Sequence, residues 1–122
     1  TTVDISGVTF ALVPYFHRGR LSRSRALPIG DVLISHEPPR NVLDRCIGGR
    51  HVGSQCLRSA VEKSPSKPRL WLCGHIHEGA GAMRVRFGKR APATVCVNAA
   101  NANPGLARRL VLGALLVDLH RA

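Results

Sequence analysis

The stretch LWLCGHIHEGAG, Leu70 to Gly81, decides how the rest of the chain is read. Its four leading apolar residues make a run of the length of a buried strand, and too short for a helix. Gly74 then leaves room for a close backbone approach, and His75 and His77 stand two apart. In an extended segment such residues point to one side, so continued strand geometry presents two imidazoles together. Gly79 and Gly81 let the chain turn away. Neutral imidazole is the commonest side-chain ligand of transition metals, and two on one side make half of a typical site. A solvated pair is the plainer reading of H-x-H taken alone.

Upstream, GDVLISHEPP (Gly30–Pro39) repeats the theme. Asp31 to Ser35 is a short β-branched run that ends in His36, and Pro38 and Pro39 forbid its continuation. If the two strands are neighbours, their ends gather His36, His75 and His77. Between them, Arg40 to Gly53 reads as a loop, and Ser54 is a fair N-cap for QCLRSAVEK. There Cys56, Leu57, Ala60 and Val61 share a helical face, and Pro65 and Pro68 close the helix. VDISGVTFALVP at the start holds two alternating runs around Ser6 and Gly7, a hairpin signal. AMRVRFG alternates Met83, Val85 and Phe87 against Arg84 and Arg86, and ATVCVN and GALLVDL complete the strand candidates. The order fits part of a layered α/β domain whose chemistry lies on loops at the ends of adjacent strands.

A chain of 122 residues is the size of one domain. Its net charge of +11 attracts phosphates of any kind, and the basic residues are mostly arginine. Only Arg18, Arg20, Arg23 and Arg25 cluster, in the loop-like stretch from Tyr15 to Leu27. A composition bias on a solvated surface is the plainer reading of the charge, with a functional basic face as the alternative. Aromatic residues to stack bases are scarce, which argues against a single-strand nucleic-acid binder. The four cysteines, Cys46, Cys56, Cys73 and Cys96, form no C-x-x-C pair and read as buried thiols of a reducing compartment. There is no secretory signal, and LVLGALLV is far shorter than the roughly 20 residues that span a bilayer. The chain therefore reads as soluble and cytoplasmic, with no membrane partner. It opens without methionine in mid-pattern, as the interior of a longer protein would.

The pair of motifs carries a family resemblance. GDVLISHEPP followed by LWLCGHIHEG resembles the two C-terminal blocks of the calcineurin-like metallophosphoesterases. Asp44, Gly48, HVGSQCL, GHIHEGAG and VNAA are similar to the small metallophosphoesterase-domain-containing proteins of brain type and their bacterial and plant relatives. The match runs from about Val3 to Leu119. The resemblance implies a four-layer α/β/β/α sandwich with two divalent metals (manganese, iron, zinc or magnesium) at strand ends. It assigns His36 and His75 to the second metal and His77 to the first, with metal-activated water attacking a phosphoric ester.

The family's D-x-H, G-D-x-x-D and G-N-H-D/E blocks are absent, and with them the bridging aspartate and the catalytic histidine. All lie N-terminal to the blocks found, so residues 1–122 are expected to be the C-terminal half of the domain. The chain's partners would then be a phosphate ester or nucleotide and the missing N-terminal half. Three neutral imidazoles alone are a poor home for two cations. Two further substrate-binding candidates are His51, which with Arg50 precedes the helix start, and Asn98 at a strand end; a solvated loop and a strand terminator are the plainer readings. Glu78 would either orient a ligand histidine or be solvated, and His17 and His120 read as surface residues. The competing functional readings are a truncated homologue that binds metal, nucleotide or a partner without turnover, and a basic nucleic-acid-binding domain.

Overall fold

The alternating runs at the start of the chain pair as the sequence predicts, forming β1 (Thr2–Ile5) and β2 (Val8–Val13). Ser6 and Gly7 turn the hairpin with φ of 53° and 78°, the doubly positive geometry whose twist matches that of the flanking strands. Asp4 accepts the Gly7 N–H at 3.1 Å. The computed structural model describes residues 1–15, 27–101 and 113–120. Its class is α/β, with one six-stranded sheet and, among the described residues, one α-helix.

β3 (Val32–Ser35) lies parallel to β2, and β4 (Leu70–Cys73) lies parallel to β3. The crossover between them carries α1 (Gln55–Lys63). Ser54 Oγ accepts the Leu57 N–H at 3.3 Å, a cap worth about 1 kcal/mol. The Ser64 N–H bonds back to the Ala60 and Val61 carbonyls, and the helix ends there. Leu57 and Val61 are its buried residues, but Cys56 is exposed. The predicted face was too wide: Cys56 sits one step of about 100° away from the Leu57–Val61 line, beyond the reach of a single sheet. β5 (Gly81–Arg86) and β6 (Ala93–Asn98) complete the order β1-β2-β3-β4-β6-β5, with β6 parallel to β4 and β5 antiparallel at the edge.

Parallel strands are buried on both faces, and here both faces are apolar. Towards α1 lie Ala11, Leu33, Trp71, Cys96 and Phe87, all fully buried. Trp71 stacks at 5.4 Å on Phe87, and its indole N–H donates to Ser35 Oγ at 2.8 Å. The opposite face centres on Val32, Leu70 and Val97, flanked by the partly buried Val8, Phe10, Ile34, Leu72 and Val95. GALLVDL, expected as a strand, is not one. Leu119 packs against the second face and the His120 carbonyl accepts from Arg69, so the end of the segment is anchored on that face instead of pairing at an edge. Its apolar run finds no partner strand, and Leu115, Leu116 and Val117 stay exposed.

All four cysteines are free. Burial and the neighbouring Cys96 push the Cys73 thiol up to about 12. Burial does the same to Cys96, against a smaller opposing effect of Arg58. Buried thiols were the expectation for all four; Cys46 is half-buried and Cys56 exposed, since both lie outside the strands. Among the described residues no helix is long and apolar enough to cross a membrane.

Candidate functional site

The parallel sheet sends one set of strand ends to one edge. Tyr15 follows β2, His36 follows β3, His75 follows β4, and Asn98 ends β6 opposite Gly81 of β5. The Gly74 N–H donates to the His36 carbonyl at 3.0 Å, which carries the β3–β4 pairing past the strands. The two imidazoles meet there, with His36 Nε2 3.0 Å from His75 Nδ1. Tyr15 stands edge-on to His36 with ring centroids 4.8 Å apart, and 6.5 Å from His75. His36, His75 and Tyr15 are all exposed.

His75 and His77 do not continue the strand, which corrects the side-by-side geometry expected of them. The Ile76 N–H folds back onto the Gly74 carbonyl at 2.8 Å around His75, whose φ is +70°. This is the γ-turn of positive φ, the rarer and more strained form, and strain at a non-glycine residue costs of order 1–3 kcal/mol. Ile76 is buried, and the half-buried His77 opens a single 3-10 turn, His77–Gly79. Gly74 is not crowded, since an added Cβ would meet only the His36 carbonyl at 3.9 Å. The close approach is at Gly79 instead, where a Cβ would run into the Leu43 carbonyl.

Asn98 holds this turn. Fully buried, it donates its amide to the Ile76 carbonyl at 2.7 Å and to the Leu43 carbonyl at 3.0 Å, and its oxygen accepts the Ala100 N–H at 3.1 Å. Every polar group of the side chain is therefore bonded to backbone, and two of the three bonds reach distant turns instead of its own strand end. Glu78 is exposed and accepts the Ile47 N–H at 3.2 Å, bracing the loop from Arg40 to Gly53. That loop doubles back through an Arg45–His51 bridge, and a parallel bridge ties Ser54 to Pro39.

Inside the loop Asp44 is 1% exposed. Its Oδ1 lies 2.5 Å from His51 Nδ1, and its Oδ2 accepts the Asn41 and Gly53 N–H groups, each at 2.9 Å. Burial pushes this carboxyl up, but the bonds from His51, Gly53 and Asn41 outweigh it and hold it below its ordinary value.

The sequence pointed to His36 and His75, and the fold brings them together. His77 lies two residues from His75, and no group of three or more His, Cys, Asp or Glu is arranged to hold a metal among the described residues. The paired nitrogens do suit one ion: two ligands about 2.1 Å from a metal at angles of about 90–110° lie about 3.0–3.4 Å apart. His17 and the arginine cluster Arg18, Arg20, Arg23 and Arg25 fall outside the described residues, while His120 is exposed. Tyr15 was missed, although ALVPY ends a strand just as DVLISH does. A cavity of about 440 Å³ between the end of α1 and the β5–β6 turn is lined by Glu62, Lys67, Phe87 and Arg90. It lies at the other end of the strands from the histidines and carries none of this chemistry.

Comparisons with known proteins give partial matches. Over 87 residues the chain is 38% identical to metallophosphoesterase domain-containing protein 1 of Homo sapiens, and equally to that of Mus musculus. The match covers 69% of this chain and 26% of each relative, so the chain spans about a quarter of their length. It is also 42% identical over 52 residues to the uncharacterized protein MJ1162 of Methanocaldococcus jannaschii, 38% of this chain and 22% of that one. A 51-residue stretch, 42% of the chain, is 43% identical to 4% of a protein of Emericella nidulans described as "Probable rhamnogalacturonate lyase C". No family model matches the chain. No solved structure matches it.

Proposed function

We propose that the chain is the C-terminal portion of a metal-dependent phosphoesterase domain of the calcineurin-like superfamily, acting on phosphodiesters. The observation that carries this reading is the meeting of His36 and His75, from the ends of adjacent parallel strands, with nitrogens 3.0 Å apart. The 38% identity to metallophosphoesterase domain-containing protein 1 supports it. His36 and His75 would hold one divalent ion and His77 would serve a second. When bound, such ions activate water and stabilise charge on the phosphoryl oxygens. The chain's own part is positional: the γ-turn aims His75, Asn98 fixes that turn, and Tyr15 walls one side of the pair.

The remaining ligands, including the bridging carboxylate, would come from the D-x-H, G-D-x-x-D and G-N-H blocks on a second sheet. That sheet would cover the face of Val32, Leu70 and Val97 and complete the α/β/β/α sandwich. Hydrolysis of a nitrophenyl phosphodiester with added manganese tests the reading in the full-length protein. His36→Ala and His75→Ala should each weaken metal binding at least about tenfold, since even outer-shell changes at metal sites cost about 10–100-fold, and abolish turnover. Unchanged metal-dependent activity in His75→Ala would refute the assignment.

A further inference from the structure

The Asp44–His51 couple takes no part in holding the paired histidines, yet it is built as a functional imidazole is built. A buried ionised carboxylate accepts from Nδ1 at 2.5 Å, so Nδ1 carries the proton and the ring is fixed in orientation. Nε2, on the far side of the ring from Asp44, is left for other chemistry, and the His51 side chain is 31% exposed. Asp44 is itself locked by the Asn41 and Gly53 N–H groups, so the couple is rigid.

Its loop is tied to the segment that carries His36. Pro39 and Ser54 form a parallel bridge, with the Ser54 N–H donating to the Pro38 carbonyl at 2.9 Å. His36 stands three residues before Pro39 on one segment, and His51 stands three residues before Ser54 on the other. The two segments run in the same direction, so both histidines lie upstream of the bridge. Arg45 and Arg50, both exposed, flank His51 across and along its bridge, giving the loop the sign that attracts an anion.

We propose that His51, backed by Asp44, is a phosphoryl-binding residue of the site, contacting a non-bridging oxygen of the substrate through Nε2. The choice of phosphate as the anion rests on the phosphoesterase reading. A non-bridging oxygen of a phosphodiester has no proton to give, so Nε2 must donate. The bound ring therefore carries a hydrogen on each nitrogen, one shared with Asp44 and one with the ligand. The carboxylate on one side and the phosphate on the other offset that positive charge. Asp44 thus acts through His51 and does not touch the ligand.

The test titrates inorganic phosphate into the ¹⁵N-labelled chain and follows the imidazole nitrogens of His51. Nε2 should shift with phosphate while Nδ1 keeps its proton throughout. His51→Asn retains a side-chain N–H within reach of Asp44 and lacks the distal nitrogen. It should melt as the wild type does, bind phosphate at least about tenfold more weakly, and in the full-length protein raise KM more than it lowers kcat. A clasp that merely closes the loop would leave both phosphate affinity and KM unmoved in this variant. Phosphate affinity within twofold of the wild type, or a His51 ring indifferent to phosphate, overturns the proposal. If the variant does not fold, the wild-type ring resonances decide alone. Absence of metal-dependent diester hydrolysis in the wild type would instead sink the phosphoesterase reading, and leaves phosphate binding at His51 to be judged by its own titration.

Discussion

Replacing Asn98 should damage stability out of proportion to its size. In Asn98→Ala the carbonyls of Ile76 and Leu43 lose their donor and the Ala100 N–H loses its acceptor. An unsatisfied buried polar group costs about 1–3 kcal/mol. Three such groups, one of them only partly buried and so open to water, put the loss at about 3–5 kcal/mol. That is a large share of the 5–15 kcal/mol typical of a folded domain. Asn98→Asp keeps the acceptor but turns a carboxylate towards two carbonyl oxygens, so shape alone should not rescue it. Trp71 is the only tryptophan and is fully buried, so its fluorescence reports the transition in a urea titration. The midpoint should fall sharply for both variants, with the slope unchanged. A loss below about 0.5 kcal/mol in Asn98→Asp would refute the reasoning, since that is the range of inert surface changes.

Two other expectations concern positions where neighbouring residues differ in kind. Gly79→Ala should destabilise by about 1–3 kcal/mol, the usual cost of overpacking, whereas Gly74→Ala should stay within about 1 kcal/mol in the same titration. Cys56 should react with a thiol reagent in the native chain, while Cys73 and Cys96 react only on unfolding. Because both buried thiols are raised from 9.0 to about 12, the unfolded chain ionises first, so their contribution is complete below pH 9 and is lost between pH 9 and 12.

The elements that could be read in advance were those whose signals are local. The Ser6-Gly7 turn, the Ser54 cap, and the short apolar runs at Val32 and Leu70 each announce themselves within a few residues. The pairing of His36 with His75 was legible because two strands ended alike and parallel neighbours share an edge. The γ-turn at His75 was not, because nothing in the sequence around a non-glycine residue announces a positive φ. Nor was the role of Asn98, whose amide bonds residues 22 and 55 positions away. GALLVDL misled for the opposite reason: its apolar run is genuine, but an apolar run cannot supply a neighbouring strand. His51 was noticed for its place before a helix, yet its defining partner is the buried Asp44, seven residues back through a loop that closes on itself.

The fit of Gly79 beneath the Leu43 carbonyl also bears on how such a chain can diverge. The loop after β3 and the turn after β4 touch backbone to backbone, with no side chain between them to absorb a change. Drift in either must be matched by withdrawal of the other, so the two motifs should be inherited as one unit. Gly48 and Gly49, at φ of 89° and 78° with no atom near a Cβ, restrict only their own backbone and can exchange for asparagine without reference to any other residue.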